Sequence, residues 1–138
     1  MRKFLGRLLL VLILVLIATP SRIHLGKGWI FWKYNTENAV SGVAVSSSGN
    51  YIVAGTKNGD IYLLNAQGTL IWSKSLGNEV KGISISGDGN RILASIEEYS
   101  TGEPDIFLFD KNGSTIWQKD LIDSGTPCGV SISQDGNH

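Results

Sequence analysis

The chain has 138 residues, with 12 Lys plus Arg balanced by 12 Asp plus Glu. That length points to one domain, and the even charge gives no basic surface for nucleic acid or an anionic membrane. A single cysteine, Cys128, excludes an internal disulfide and a multi-cysteine metal site; it reads as a small buried apolar side chain.

Arg2, Lys3 and Arg7 precede an unbroken apolar run, Leu8 to Ala18. A basic head before such a run has the form of a secretory signal. As a helix the run would cross only about half of a bilayer's hydrocarbon core. Residues 1–21 are therefore expected to be a signal peptide cut after Ser21. The site lacks Ala-x-Ala and contains Pro20, so an uncleaved signal anchor, a hydrophobic helix attaching the chain to the membrane, stays open. No cysteine follows the run to carry a lipid anchor. Without residues 1–21 the remainder carries a mildly acidic net charge of −3.

Residues 22–138 repeat themselves. Trp32, Trp72 and Trp117 are spaced by 40 and 45. After each comes a matching stretch: "GVAVSSSGN" at 42–50, "GISISGDGN" at 82–90 and "GVSISQDGN" at 129–137. "YIVAG" (51–55) matches "RILAS" (91–95), and "DIYLLNAQGTLIW" (60–72) matches "DIFLFDKNGSTIW" (105–117). Each unit holds four strand signals separated by turn-formers. They fall at Gly42–Ser46, Tyr51–Gly55, Ile61–Asn65 and Thr69–Ser73, then at Gly82–Ser86, Arg91–Ser95, Ile106–Asp110 and Ser114–Lys119. Asn58-Gly59 and Asn112-Gly113 suit tight hairpin turns. Asn112 also opens a glycosylation sequon, which the turn explains without sugar.

Each unit is thus predicted to be a four-stranded antiparallel meander. Its first strand alternates large and small residues, and its third is apolar on both faces. Sheets stacked face to face need that pattern; a sheet with one wet face does not. The predicted fold is all-β, made of β-propeller blades at 40–75 and 80–120. Partial blades flank them: a lone strand, "GWIFWKY" (28–34), and the start of a next blade at 127–138.

The pattern Leu/Phe-Asn/Asp-x-x-Gly-x-x-Ile-Trp, followed by Gly-Ile/Val-x-Ile/Val-Ser-x-x-Gly-Asn, resembles the quinoprotein-like (PQQ-like) and WD-like propeller repeats of prokaryotic exported proteins. The resemblance covers about 28–138 and implies that Trp32, Trp72 and Trp117 dock each blade on its neighbour. The chain departs from the eukaryotic WD repeat, because Ser follows Trp72, Gln follows Trp117 and the Gly-His pair is missing. It departs from the quinone-binding repeat by one residue between Asn65 and Trp72. A ring needs about four to eight blades. The expectation is a segment of a longer propeller, or a chain whose copies assemble into one ring.

Relative to the first blade, the second has five extra residues within 96–105 and two within 120–128. Both insertions fall at the same end of a meander. They gather Glu97, Glu98, Glu103, Asp105, Asp120 and Asp123 beside Tyr99, an acidic rim for a basic partner or a cation. The Asp-Gly-Asn triplets at 88–90 and 135–137 lack the rest of a calcium loop and read as turns. His24 and His138 lie far apart without a catalytic partner. The favoured function is an exported or membrane-anchored scaffold that binds a protein or glycan, with no catalysis and no cofactor. The alternative is a piece of a quinone-dependent oxidoreductase, for which the resemblance implies a bound quinone and calcium.

Overall fold

The computed structural model describes residues 23–25, 28–97, 104–121 and 129–137. These form two compact units, one through Tyr34 and one from Asn35 onward. Among the described residues no helix is long and apolar enough to cross a membrane. The apolar run at 8–18 lies outside them.

In the first unit, β1 (Ile23–Leu25) pairs antiparallel with β2 (Gly28–Ile30). The strand expected over 28–34 therefore ends at Ile30, and it has a partner before it. Residues 31–34 carry no strand.

The second unit holds two four-stranded meanders. Blade 1 runs β3 (Val40–Val45), β4 (Tyr51–Thr56), β5 (Asp60–Asn65) and β6 (Leu70–Ser75), each strand paired to the next. Blade 2 repeats this with β7 (Val80–Ile85), β8 (Arg91–Ile96), β9 (Ile106–Asp110) and β10 (Thr115–Lys119). The register follows from the turns. Gly49, Gly68, Gly89 and Gly113 all adopt positive φ at hairpin turns, where a side chain would be strained.

The core lies between the blades. On blade 1, Ala44, Val53, Leu63 and Trp72 form one row across all four strands. On blade 2, Ile85, Ile92 and Phe109 form one row and Ile83, Ala94 and Phe107 the next. Val53, Leu63, Ile92 and Phe109 are fully buried. Each such side chain contributes about 1.5–3 kcal/mol through removal of apolar surface from water.

Small residues let the sheets approach. A Cβ added at Gly55 would stand 2.5 Å from Val80 Cγ1, and one at Gly42 would stand 3.3 Å from Ile83 Cγ2. The alternation of large and small noted in the sequence is thus a lock between the small residues of one blade and the branched residues of the next.

The third repeat approaches blade 2 through its backbone, without a ladder. A Cβ at Gly82 would stand 2.8 Å from the Val130 nitrogen, and Gly87 N–H donates to the Gln134 carbonyl at 2.9 Å. The strand expected at Gly129–Ser133 is not one: no described strand pairs with it, and a strand exists only as part of a ladder. On the far side of blade 1, Val43 and Val45 are 58% and 56% exposed.

Candidate interaction surfaces

An antiparallel meander gathers its turns at two ends. At one end lie the β3–β4, β5–β6, β7–β8 and β9–β10 turns and the turn of the third repeat. At the other lie the β4–β5 turn and the described ends of the two stretches that carry the insertions of blade 2.

The first end is built from a repeated polar bracket. The Ser86 hydroxyl donates to Asp88 Oδ1 at 2.6 Å, and Asn90 N–H donates to the same oxygen at 2.9 Å. Ser86 Oγ in turn accepts from Arg91 N–H at 3.0 Å. Ser133, Asp135 and Asn137 rebuild this bracket in the third repeat. In blade 1, Ser48 replaces the Asp and contacts Ser46 Oγ at 3.1 Å. The Ser86 hydroxyl, with the Asn90 backbone N–H, holds the Asp88 carboxyl below its usual range.

Between the blade 2 turns and the third-repeat turn opens a cavity of ≈ 280 Å³. Asp88, Asp110 and Asp135 line it together with Arg91 and Lys111. Position 91 matches position 51 of blade 1. Tyr51 lays its ring on Gly89, whereas Arg91 sets only its aliphatic stem against Gly136, with Cγ 3.0 Å from where a Cβ would stand. Sequence reasoning missed this surface, although the change from Tyr51 to Arg91 in otherwise matching repeats marks it.

At the insertion end, Lys81 Nζ lies 2.9 Å from Glu79 Oε2 and 3.4 Å from Glu97 Oε2. The hydrogen bond to Glu79 raises the Lys81 pKa, with Glu97 adding to it against partial desolvation. Glu97 is thus half-buried in an ion-pair triad rather than free on the rim. Asp105 is fully buried, so its carboxylate is not on the surface. Its Oδ1 accepts from Leu121 N–H at 3.1 Å. Asp120 is half-buried beside it. Glu98, Tyr99, Glu103, Asp123 and Cys128 lie outside the described residues. Among the described residues no group of three His, Cys, Asp or Glu side chains is arranged to hold a metal.

The tryptophans occupy three settings. Trp72 Nε1–H donates to the Lys111 carbonyl at 2.9 Å, and its ring lies 6.2 Å from that of Phe109. It thereby reaches from the outer strand of blade 1 to blade 2. Trp117, on the outer strand of blade 2, is 44% exposed. Trp32 is half-buried and belongs to the first unit.

A family model described as outer membrane protein assembly factor BamB (PQQ_2) matches residues 21–136, all but the last two residues of the repeat region. The chain belongs to this family. Solved propellers resemble it in turn. BamB from Moraxella catarrhalis is 28% identical, with a TM-score of 0.55 over 70% of this chain. The C-terminal WD40 domain of Sif2 is 25% identical, with a TM-score of 0.53 over 62%. The β-propeller domain of Myceliophteria thermophila Cps50 (Swd1), 13% identical with a TM-score of 0.59 over 72%, shows the fold alone. The chain spans 31%, 23% and 28% of the Cps50, Sif2 and BamB chains. No protein of curated function matches the sequence.

Proposed function

We propose that the chain is an exported, non-catalytic propeller segment that holds a protein partner at the turn end of its blades. The observation that carries this reading is the BamB-family match over 21–136, reinforced by 28% identity to a BamB structure. The family description places such propellers in outer membrane protein assembly, a task of binding proteins. The basic and apolar stretch at 1–21 supports export. The cavity beside Arg91 and Lys111 supplies carboxylates and cations side by side, a polar surface suited to backbone and charged groups of a protein chain.

The test has two arms. A phosphatase reporter active only outside the cytoplasm, fused after Asn137, is expected to be active. A photocrosslinking residue at Asn112, on the cavity wall, is expected to trap an envelope protein in cells, whereas one at Ser73, on an outer strand, is not. An inactive reporter, or equal adducts from both positions, contradicts the proposal.

A further inference from the structure

Asp105 precedes β9 and Asp120 follows β10, the strand paired with β9. Asp105 N–H donates to the Lys119 carbonyl at 3.1 Å, and Leu121 N–H donates to Asp105 Oδ1 at 3.1 Å. Asp120 stands between these two contacts, so the two aspartates are neighbours across the strand pair. Asp105 is 0% exposed. The other oxygen of its carboxylate, Oδ2, and Oδ1 of Asp120 are both buried and accept no hydrogen bond from the described residues.

Blade 1 solves the same corner differently. Asp60 is the match of Asp105, and it pairs with Ser75, the match of Asp120. Asp60 Oδ2 accepts from Asn38 Nδ2 at 3.4 Å. The Thr56 hydroxyl accepts from Asp60 N–H at 3.0 Å and donates to the Asp60 carbonyl at 3.2 Å. In blade 2 the threonine becomes Ile96, and the serine becomes a second carboxylate. Hydroxyl partners are lost and negative charge is added, next to the buried apolar Ile96 and Val80. Two adjacent carboxylates with buried, unpartnered oxygens repel each other and pay for lost hydration unless a positive group joins them. Lys81, which pairs with Glu79 and Glu97, and Lys74, which lies over the Phe109 ring at 5.1 Å, are engaged elsewhere.

We infer that Asp105 Oδ2 and Asp120 Oδ1 are ligands of a hard divalent cation of the calcium class, which ties the two ends of the β9–β10 hairpin together. Oxygen-only donors select calcium or magnesium over softer metals. Calcium accepts six to eight oxygens in an irregular shell, so the two carboxylates are its anchoring ligands and not its whole shell. The cation serves blade 2 and not blade 1, because only blade 2 opposes Asp to Asp. This inference stands apart from the proposed partner binding, which uses the opposite end of the blades.

The test uses the full chain, stripped with chelator and titrated with calcium chloride. Extracellular calcium modules bind at about 10⁻⁴–10⁻³ M, so the titration runs to about tenfold above that range. The melting temperature is expected to rise saturably with calcium in the wild type. Asp120→Ser, which installs blade 1's own residue, is expected to fold and to lose the calcium response. Calorimetric titration of Asp105→Asn at a temperature where the chain is folded is a second readout, expected to show no binding heat. A wild-type melt indifferent to calcium overturns the site. So does an unchanged calcium response in Asp120→Ser. A melting temperature that rises only as the pH is lowered, with no calcium effect, assigns the pair a shared proton and also overturns it.

Discussion

Trp72 and Trp117 hold the same position in consecutive blades. Trp72 donates its indole N–H to the next blade at 2.9 Å, whereas Trp117 is 44% exposed. The two local sequences match, so the difference lies in the neighbour and not in the strand. The glycines tell the same story. Gly42 faces Ile83 of blade 2 and Gly82 faces the backbone of the third repeat, whereas Gly129, the same position one repeat on, has nothing within 4 Å of a notional Cβ. In a stacked-repeat protein a residue's energetic weight is set at the interface between units, and identical residues acquire different weights along the chain.

The largest break in this comparison is expected at the tryptophans. Trp72→Ala removes a ring packed on Phe109 together with its hydrogen bond, and is expected to cost about 3 kcal/mol in urea denaturation. Trp117→Ala is expected to stay within about 0.5 kcal/mol. Equal costs for the two would remove the distinction.

Next in size come two glycines, one inside the interface between the blades and one outside it. Gly55→Ala forces a methyl against Val80, a stiff and fully buried side chain, and is expected to cost about 1–3 kcal/mol. Gly129→Ala meets open space and is expected to change stability by less than about 0.5 kcal/mol.

The smallest effects concern charge at the two ends of blade 2. Asp88 is held below the ordinary value of 3.8, so its contribution is present above that pH and is lost as pH falls through its lower folded value. Lys81 is raised above 10.5, so its contribution is full below that pH and fades as pH rises through its higher folded value. Both groups face solvent, where such pairs are weak. In melts recorded against pH, Asp88→Asn is expected to flatten only the acid limb and Lys81→Met only the alkaline limb. A variant that shifts the whole curve evenly would mean that packing, not charge, had changed.

Much of the fold is legible in the sequence because its signals are local and repeated. Gly-Asn turns recur at fixed offsets, and the strand between each pair of turns has room for only one register. The propeller follows from the large-small alternation, which the Gly42–Ile83 and Gly55–Val80 approaches explain. The surfaces were less legible. Asp105 reads as a loop acid in an inserted stretch, yet it is buried. Its burial depends on apolar residues brought beside it by other strands, which its own segment does not encode. The acidic rim stands out in the sequence because its residues are charged and inserted. The cavity at the other end depends on Arg91 failing to fill the space that Tyr51 fills, a property visible only by comparing repeats. The strand expected at Gly129–Ser133 has the residues of a strand and lacks a ladder partner, a condition that strand propensity does not report.

The central claim is that the blades dock by fitting the small face of one against the branched side chains of the next. A double-mutant cycle between Gly55→Ala and Val80→Ala tests it most directly, read as urea unfolding free energies of the four proteins. Removing the Val80 methyls makes room for the added methyl at Gly55. The double variant is therefore expected to be more stable than the sum of the single losses by about 1 kcal/mol or more. Additive losses, within about 0.5 kcal/mol, would contradict the docking described here.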